Sequence, residues 1–252
     1  MLTACRRLKV VGRLGVGLDN IDTDECARRG IKVFPASGAN AVSVAEYVIA
    51  AILLAFRDIW HANADVLAGK WPRNDLMFHE AAGKRLGLVG FGEIARAVAG
   101  RARALEMEIV ASDPLLAPKH PAWREFGATR LEFAELLATS DVVSIHTPLI
   151  AATRNLVDAA ALARMKPTAI LINSARGGIV DEHALVAALK AGKLGGAVLD
   201  VFDNEPLQAN SHLVGTPRLM LTPHIAGVTK EANRRVSSLT VSNVRRALRA
   251  LE

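Results

Sequence analysis

From Arg85 onward, short apolar runs alternate with helix-length segments, and this alternation restricts the fold more than any other feature. Short apolar runs, rich in β-branched residues and bounded by turn residues, read as buried strands. They fall at residues 86–90, 108–112, 141–146, 169–173, 196–201 and 219–222. Helical segments lie between them at about 92–105, 132–138, 158–164 and 182–191. The last has Asp181 as its expected N-cap and Gly192 as its stop. Repeated strand–helix units build a parallel sheet covered on both faces. The expected class is therefore α/β, with a doubly wound parallel sheet.

The part before Arg85 is less regular. Strands are expected at 8–13 and 31–34, with a short helix opened by Asp22 or Thr23 and closed at Gly30. A long apolar helix is expected from Ser43 to about Trp60, with Ser43 and Glu46 in a capping-box pattern. A polar segment follows. The tail from about Thr229 to Leu251 reads as one basic amphipathic helix. Two strands alone make a marginal sheet in water. Leu2 and Cys5 read as the last turn of a helix, so the chain is expected to start inside a domain.

Composition removes several classes of function. Of 252 residues, 51% are hydrophobic and 22% charged, as in ordinary globular enzymes. No apolar run reaches the roughly 18 residues of a membrane span, and the N-terminal sequence does not read as a secretory signal. The formal charge of +6 is spread over scattered basic residues, and with 4% aromatics no base-stacking platform is visible. Nucleic acid and membrane are not expected partners; a mild positive field would instead draw in an anionic substrate. Cys5 and Cys26 have no metal-type spacing, the histidines show no ligand spacing, and no metal is expected. Two unpaired cysteines suit a reduced cytoplasm.

Gly90-Phe91-Gly92-Glu93-Ile94-Ala95 has the form G-x-G-x-x-A, after one expected strand and opening a helix. The first glycine permits the tight turn. The second lets backbone approach a pyrophosphate, and the small third residue allows close helix–strand packing. The pyrophosphate would lie over N–H groups at the helix N-terminus. Asp113 follows Ala95 by 18 residues, at the end of the next strand. There a carboxylate accepts from the ribose hydroxyls and repels a 2′-phosphate, which favours NAD over NADP.

Three polar residues follow later strands: Arg176 in NSARGG, Glu205 in DVFDNEP and His224 in TPHIAG. In open α/β sheets ligands bind outside the carboxyl ends of the strands. A forked cation can clamp a carboxylate and polarise a 2-oxo group. An imidazole can take or return a hydroxyl proton, and a carboxylate on its other nitrogen fixes the tautomer. His146, also at a strand end, reads as a structural or cofactor-side residue.

Taken with NAVSVAEYVIA, LGLVGFGEIA, HTPL and LDVFDNEP in this order, the sequence resembles the D-2-hydroxyacid dehydrogenases, above all their phosphoglycerate dehydrogenase-like branch. The resemblance implies an NAD-binding Rossmann domain over residues 39–228, with a dimerisation helix and arm over 43–80 reaching through Trp71. It implies an incomplete flavodoxin-like substrate domain over residues 1–38, to which the helix at 229–252 returns, several strand–helix units being absent upstream. By resemblance, Arg176, Glu205 and His224 are the catalytic trio. Glu93 and Ile94 lie against the pyrophosphate, Thr147 and Ala175 line the cofactor cleft, and Asp200 holds the nicotinamide carboxamide. Val16 and Gly17 receive the substrate carboxylate, and Arg13 could meet a second anionic group. The implied protein is a cytoplasmic homodimer that moves a hydride between NAD and C2 of a 3-phosphoglycerate-, sulfolactate- or hydroxypyruvate-type acid. Glu205 speaks against the formate dehydrogenase branch, which has Gln there. The alternatives are an NAD-binding corepressor-like regulator and an inactive truncated product.

Overall fold

The computed structural model describes residues 5, 7–18, 20–59 and 62–250. Leu2, Trp60 and Leu251, which bounded three expected helices, lie outside the described residues. Along the chain run β1 (Val10–Arg13), α1 (Thr23–Arg28), β2 (Lys32–Pro35), α2 (Ala41–Arg57), α3 (Ala62–Leu67), β3 (Arg85–Val89), α4 (Glu93–Arg103), β4 (Glu108–Ser112) and α5 (Ala122–Glu125). They continue as β5 (Ala128–Arg130), α6 (Phe133–Thr139), β6 (Val142–Ile145), α7 (Ala159–Leu162), β7 (Ile170–Asn173), α8 (Glu182–Lys190), β8 (Gly196–Leu199), β9 (Leu219–Leu221) and α9 (Lys230–Arg249). The chain divides into two compact units, Val44–Ala226 and Met1–Ser43 with Gly227–Glu252.

The larger unit holds a seven-stranded sheet in the order β5-β4-β3-β6-β7-β8-β9. Every neighbouring pair is parallel. A strand's side chains alternate between faces, and in β7 this separates two cores. Ile170 and Ile172 face one core with Val48 and Ile52 of α2 and Val98 and Ala99 of α4. Leu171 faces the other with Leu136, Leu137, Leu162, Leu185 and Leu189 of α6, α7 and α8. Strands β6, β7 and β8 are buried throughout, as strands covered on both sides must be. Chain order reverses between β3 and β6, since β4 and β5 lie on one side of β3 and β6 to β9 on the other. That crevice is the topological switch point where such sheets bind ligands.

In the smaller unit β1 and β2 pair in parallel, and α1 is capped by the Asp22 carboxylate, which accepts from Glu25 N–H. The Thr240 hydroxyl on α9 donates to the Arg13 carbonyl at 3.2 Å, and Arg235 donates to the Ala39 carbonyl at 2.8 Å.

Some local expectations need correction. α2 starts at Ala41, so Ser43 lies inside the helix and forms no capping box. Its buried hydroxyl pairs instead with the Thr229 hydroxyl at 2.9 Å, and Thr229 is the N-cap of α9. β5 was not anticipated because it is three residues long and mostly exposed. α3 and α5 are too short to set up a helical apolar stripe. No helix among the described residues is long and apolar enough to cross a membrane.

Candidate active site

The glycine turn follows β3 at the switch point. Gly90 has φ +86°, and a Cβ there would stand 2.8 Å from the His146 carbonyl oxygen. Only glycine meets both demands. Phe91 between the glycines is fully buried and stacks on Trp123 with ring centroids 4.8 Å apart, which fixes the turn from below. Gly92 is the N-cap of α4, without a side-chain cap, and faces open space. Glu93 and Ile94 begin the helix.

Asp113 follows β4 and closes over the same turn. Its Oδ2 accepts from Phe91 N–H at 2.9 Å, and its Oδ1 accepts from Leu115 and Leu116 N–H at 2.9 and 3.2 Å. A carboxylate has about four acceptor positions, so one on Oδ2 is left for a ribose hydroxyl. Across the crevice His146 and Thr147 follow β6. The His146 ring meets the Ser144 hydroxyl at 2.9 Å, and burial pushes its pKa down to about 4, so it is neutral near pH 7.

Arg176, Glu205 and His224 follow β7, β8 and β9, three strands that are neighbours and all parallel. Their carboxyl ends therefore share one edge of the sheet, the edge that also carries the glycine turn. Asn173 shapes the Arg176 turn: its side chain accepts from Ala175 N–H and donates to the Arg176 carbonyl. The Arg176 guanidinium donates to the Ala175 carbonyl at 2.6 Å. Ser174, in the same turn, has a buried hydroxyl without a hydrogen-bond partner among the described residues. Glu205 accepts from Phe202 N–H through Oε1 at 3.0 Å and meets His224 Nδ1 through Oε2 at 2.7 Å. The carboxylate makes Nδ1 the protonated nitrogen, which turns Nε2 into the proton-exchanging atom.

His224 has φ +56°, a backbone state uncommon for a side-chain-bearing residue. Asp200, at the end of β8, holds it there. The Asp200 carbonyl accepts from His224 N–H at 2.8 Å. The Asp200 carboxylate accepts from the Thr222 hydroxyl, Ile225 N–H and Ala226 N–H at 2.6, 2.8 and 2.7 Å. The side chain has no exposed surface. The Tyr47 hydroxyl extends the network, 2.6 Å from the Thr222 hydroxyl, and burial pushes its pKa up to about 12. This anchoring of the His224 turn is a role of Asp200 that the sequence did not reveal. Tyr47 and Thr222 carried no signal beyond the apolar helix and strand on which they sit.

In the smaller unit, Arg13 folds over its own loop. Nε donates to the Gly17 carbonyl at 3.0 Å and Nη1 to the Leu14 carbonyl at 2.8 Å. Val16 and Gly17 lie in this braced loop and are partly exposed.

The larger unit's residues fit a dinucleotide. An uncapped helix N-terminus faces open space, a carboxylate with one acceptor position to spare stands beside it, and the Ser174 hydroxyl lacks a partner among the described residues. A nucleotide-binding turn shares one sheet edge with a guanidinium, a carboxylate and an imidazole, groups able to hold an acid and move a proton. Comparison with known proteins supplies the class. Residues 49–226 match the model of the D-isomer specific 2-hydroxyacid dehydrogenase NAD-binding domain. The chain is 56% identical over 242 residues to an (S)-sulfolactate dehydrogenase of Chromohalobacter salexigens, covering 96% of this chain and 78% of that protein. It is 40% identical to a D-3-phosphoglycerate dehydrogenase of Archaeoglobus fulgidus, covering 97% of this chain but only 46% of that protein. The crystal structure of a glyoxylate reductase from Paecilomyes thermophila superposes with a TM-score of 0.88 at 37% identity, covering 96% of this chain and 73% of that one. The chain belongs to the D-isomer specific 2-hydroxyacid dehydrogenase family.

Proposed function

We propose that this protein interconverts a 2-hydroxy acid and its 2-oxo acid by hydride transfer at C2, with a sulfolactate-type acid as substrate. The observation that carries the reading is the His224–Glu205 pair at 2.7 Å, on the sheet edge that also bears the Gly90 turn. When bound, NAD supplies the hydride acceptor, or as NADH the donor. In oxidation the C2–H bond breaks with its electron pair leaving as hydride. The C2–O bond becomes a carbonyl, and the hydroxyl proton passes to Nε2 of His224. Glu205 then faces the imidazolium and balances its charge. Arg176 is assigned to the substrate carboxylate and the C2 oxygen. Asp200 has no exposed surface and its carboxylate is committed to the His224 turn, so the contact with a nicotinamide carboxamide expected of it is not carried into the reaction.

Substrate choice leans on the 56% identity to the sulfolactate dehydrogenase. Val16 and Gly17 are proposed for the carboxylate. Arg13 is proposed for the second anionic group, a role left to Nη2 because Nε and Nη1 hold loop carbonyls. Phosphoglycerate- and hydroxypyruvate-type acids are the other members of the test panel. The domain assignment follows the same reading, with the NAD-binding domain over 39–228 and the substrate domain over 1–38 and 229–252. The working form is taken as a cytoplasmic homodimer built on 43–80, in line with the exposure of Leu67, Trp71 and Met77.

The test is NADH oxidation with the 2-oxo acids corresponding to sulfolactate, phosphoglycerate and glycerate. Turnover is expected, fastest with the sulfonated acid, and turnover of none would overturn the reading. His224→Ala is expected to lower kcat by about 10²- to 10⁴-fold. An unchanged kcat would remove the proton-transfer role.

A further inference from the structure

Asp203 does not belong to the trio, yet it ties two of its loops together. Its Oδ1 accepts from Gly178 N–H at 2.6 Å, two residues past Arg176. Its own N–H donates to Glu182 Oε1 at 2.8 Å. Glu182 is a buried carboxylate in the first turn of α8, and its other oxygen lies 3.3 Å from His212 Nε2. One residue before Asp203, Phe202 N–H donates to Glu205. The two loops also touch through backbone: a Cβ on Gly177 would collide with the Phe202 carbonyl. A continuous set of bonds thus runs from α8 through Asp203 to the Arg176 turn, and through Phe202 to Glu205 and His224.

We infer that Asp203 is a positioning residue that sets the Arg176 guanidinium relative to the His224–Glu205 pair. The inference rests on the reaction proposed above. The physical argument is one of placement. Asp203 is exposed, so the core does not require its carboxylate. A charge-assisted bond of 2.6 Å to a glycine-turn amide is short and strong for a surface group. Asn173 and Asn155 N–H hold other groups of the Arg176 turn, and the Asp203 carboxylate adds the side-chain bond that ties it to the loop of Glu205. A displacement of about 1 Å in a clamp residue can cost about 10²-fold in rate. The clasp is therefore built where the tolerance is smallest.

The experiment compares Asp203→Ala and Asp203→Asn with the wild-type chain by steady-state kinetics, thermal melting and amide hydrogen exchange. Asp203→Ala is expected to raise KM for the 2-oxo acid about 10- to 100-fold, the effect of losing one charge-assisted bond. Its melting temperature should fall by no more than several degrees, the loss expected from one such bond, with the fold retained. Asp203→Asn keeps an acceptor oxygen in place and should restore KM to within a few-fold. Amide exchange in residues 174–180 should quicken in Asp203→Ala and remain near wild type in Asp203→Asn. An unchanged KM, or a fall in melting temperature with normal kinetics, would reduce Asp203 to a stabilising contact. Unchanged exchange in 174–180 would overturn the clasp even if the wild-type chain turned over none of the acids. Absence of wild-type turnover by itself would instead count against the proposed reaction.

Discussion

The turns at Gly90 and His224 meet the same demand in opposite ways. Each follows a strand of one parallel sheet, and each has a positive φ, +86° and +56°. At Gly90 the backbone itself is the functional surface. A glycine carries the conformation at little steric cost, and its bare Cα lets the His146 carbonyl come close. At His224 the side chain is the functional group, so glycine is not available. The disfavoured backbone must then be held from outside, and Asp200 supplies four acceptor contacts from a fully buried position. Where backbone binds, the local sequence suffices; where a side chain reacts, a distant carboxylate has to hold the turn.

The sharpest way to break this comparison is to remove the holder. Asp200→Ala leaves the buried Ala226 amide and the part-buried Ile225 amide without their acceptor and the Thr222 hydroxyl with Tyr47 alone, and is expected to cost about 3–5 kcal/mol of stability. Urea unfolding measures this, and a loss below about 1 kcal/mol would mean that the His224 turn stands by itself. Next comes the glycine turn. Gly90→Ala puts a Cβ against the His146 carbonyl at a positive φ, and should cost about 2–3 kcal/mol together with NADH affinity. Wild-type NADH binding in this variant would show that the turn tolerates a side chain.

A pH experiment probes the same side of the sheet. The folded pKa of His146 lies near 4, below its ordinary value of 6.5. Between these values the unfolded chain binds more protons than the folded one, so the contribution is complete above pH 6.5 and is lost as pH falls toward 4. The expected loss is about 3 kcal/mol by pH 4. It should be absent in His146→Asn, and an equal pH dependence in that variant would locate the effect elsewhere. The smallest effect is the most diagnostic. His224→Gly suits the turn's φ and should leave stability unchanged or raise it by up to about 1 kcal/mol, while abolishing turnover. Destabilisation comparable to that of Asp200→Ala would contradict the idea that chemistry, rather than folding, keeps a histidine there.

Much of the sheet was readable because a buried strand must be apolar along its length. The runs at 86–90, 141–146, 169–173 and 196–201 therefore announced β3, β6, β7 and β8. Asp181 and Gly192 marked the ends of α8 through capping chemistry that is local by nature: Asp181 accepts from Ala184 N–H, and Gly192 has φ +64°. β5 escaped because a three-residue, exposed edge strand has no such pattern. Ser43 misled because a capping box is a pattern of spacing, whereas the hydroxyl's real partner, Thr229, lies 186 residues away.

The sequence by itself determined the class of fold, the glycine turn with Asp113 one strand on, and the three polar residues placed just beyond strands. Each of these is written in contiguous residues, where periodicity and turn chemistry act. Only the tertiary structure decided that β7, β8 and β9 are neighbours, so that Arg176, Glu205 and His224 share one edge. Only it gave Asp200 the His224 turn to hold and Asp203 two loops to join. Those roles depend on hydrogen bonds between groups about 25 residues apart in sequence, and no local pattern encodes which carboxylate a distant amide will find.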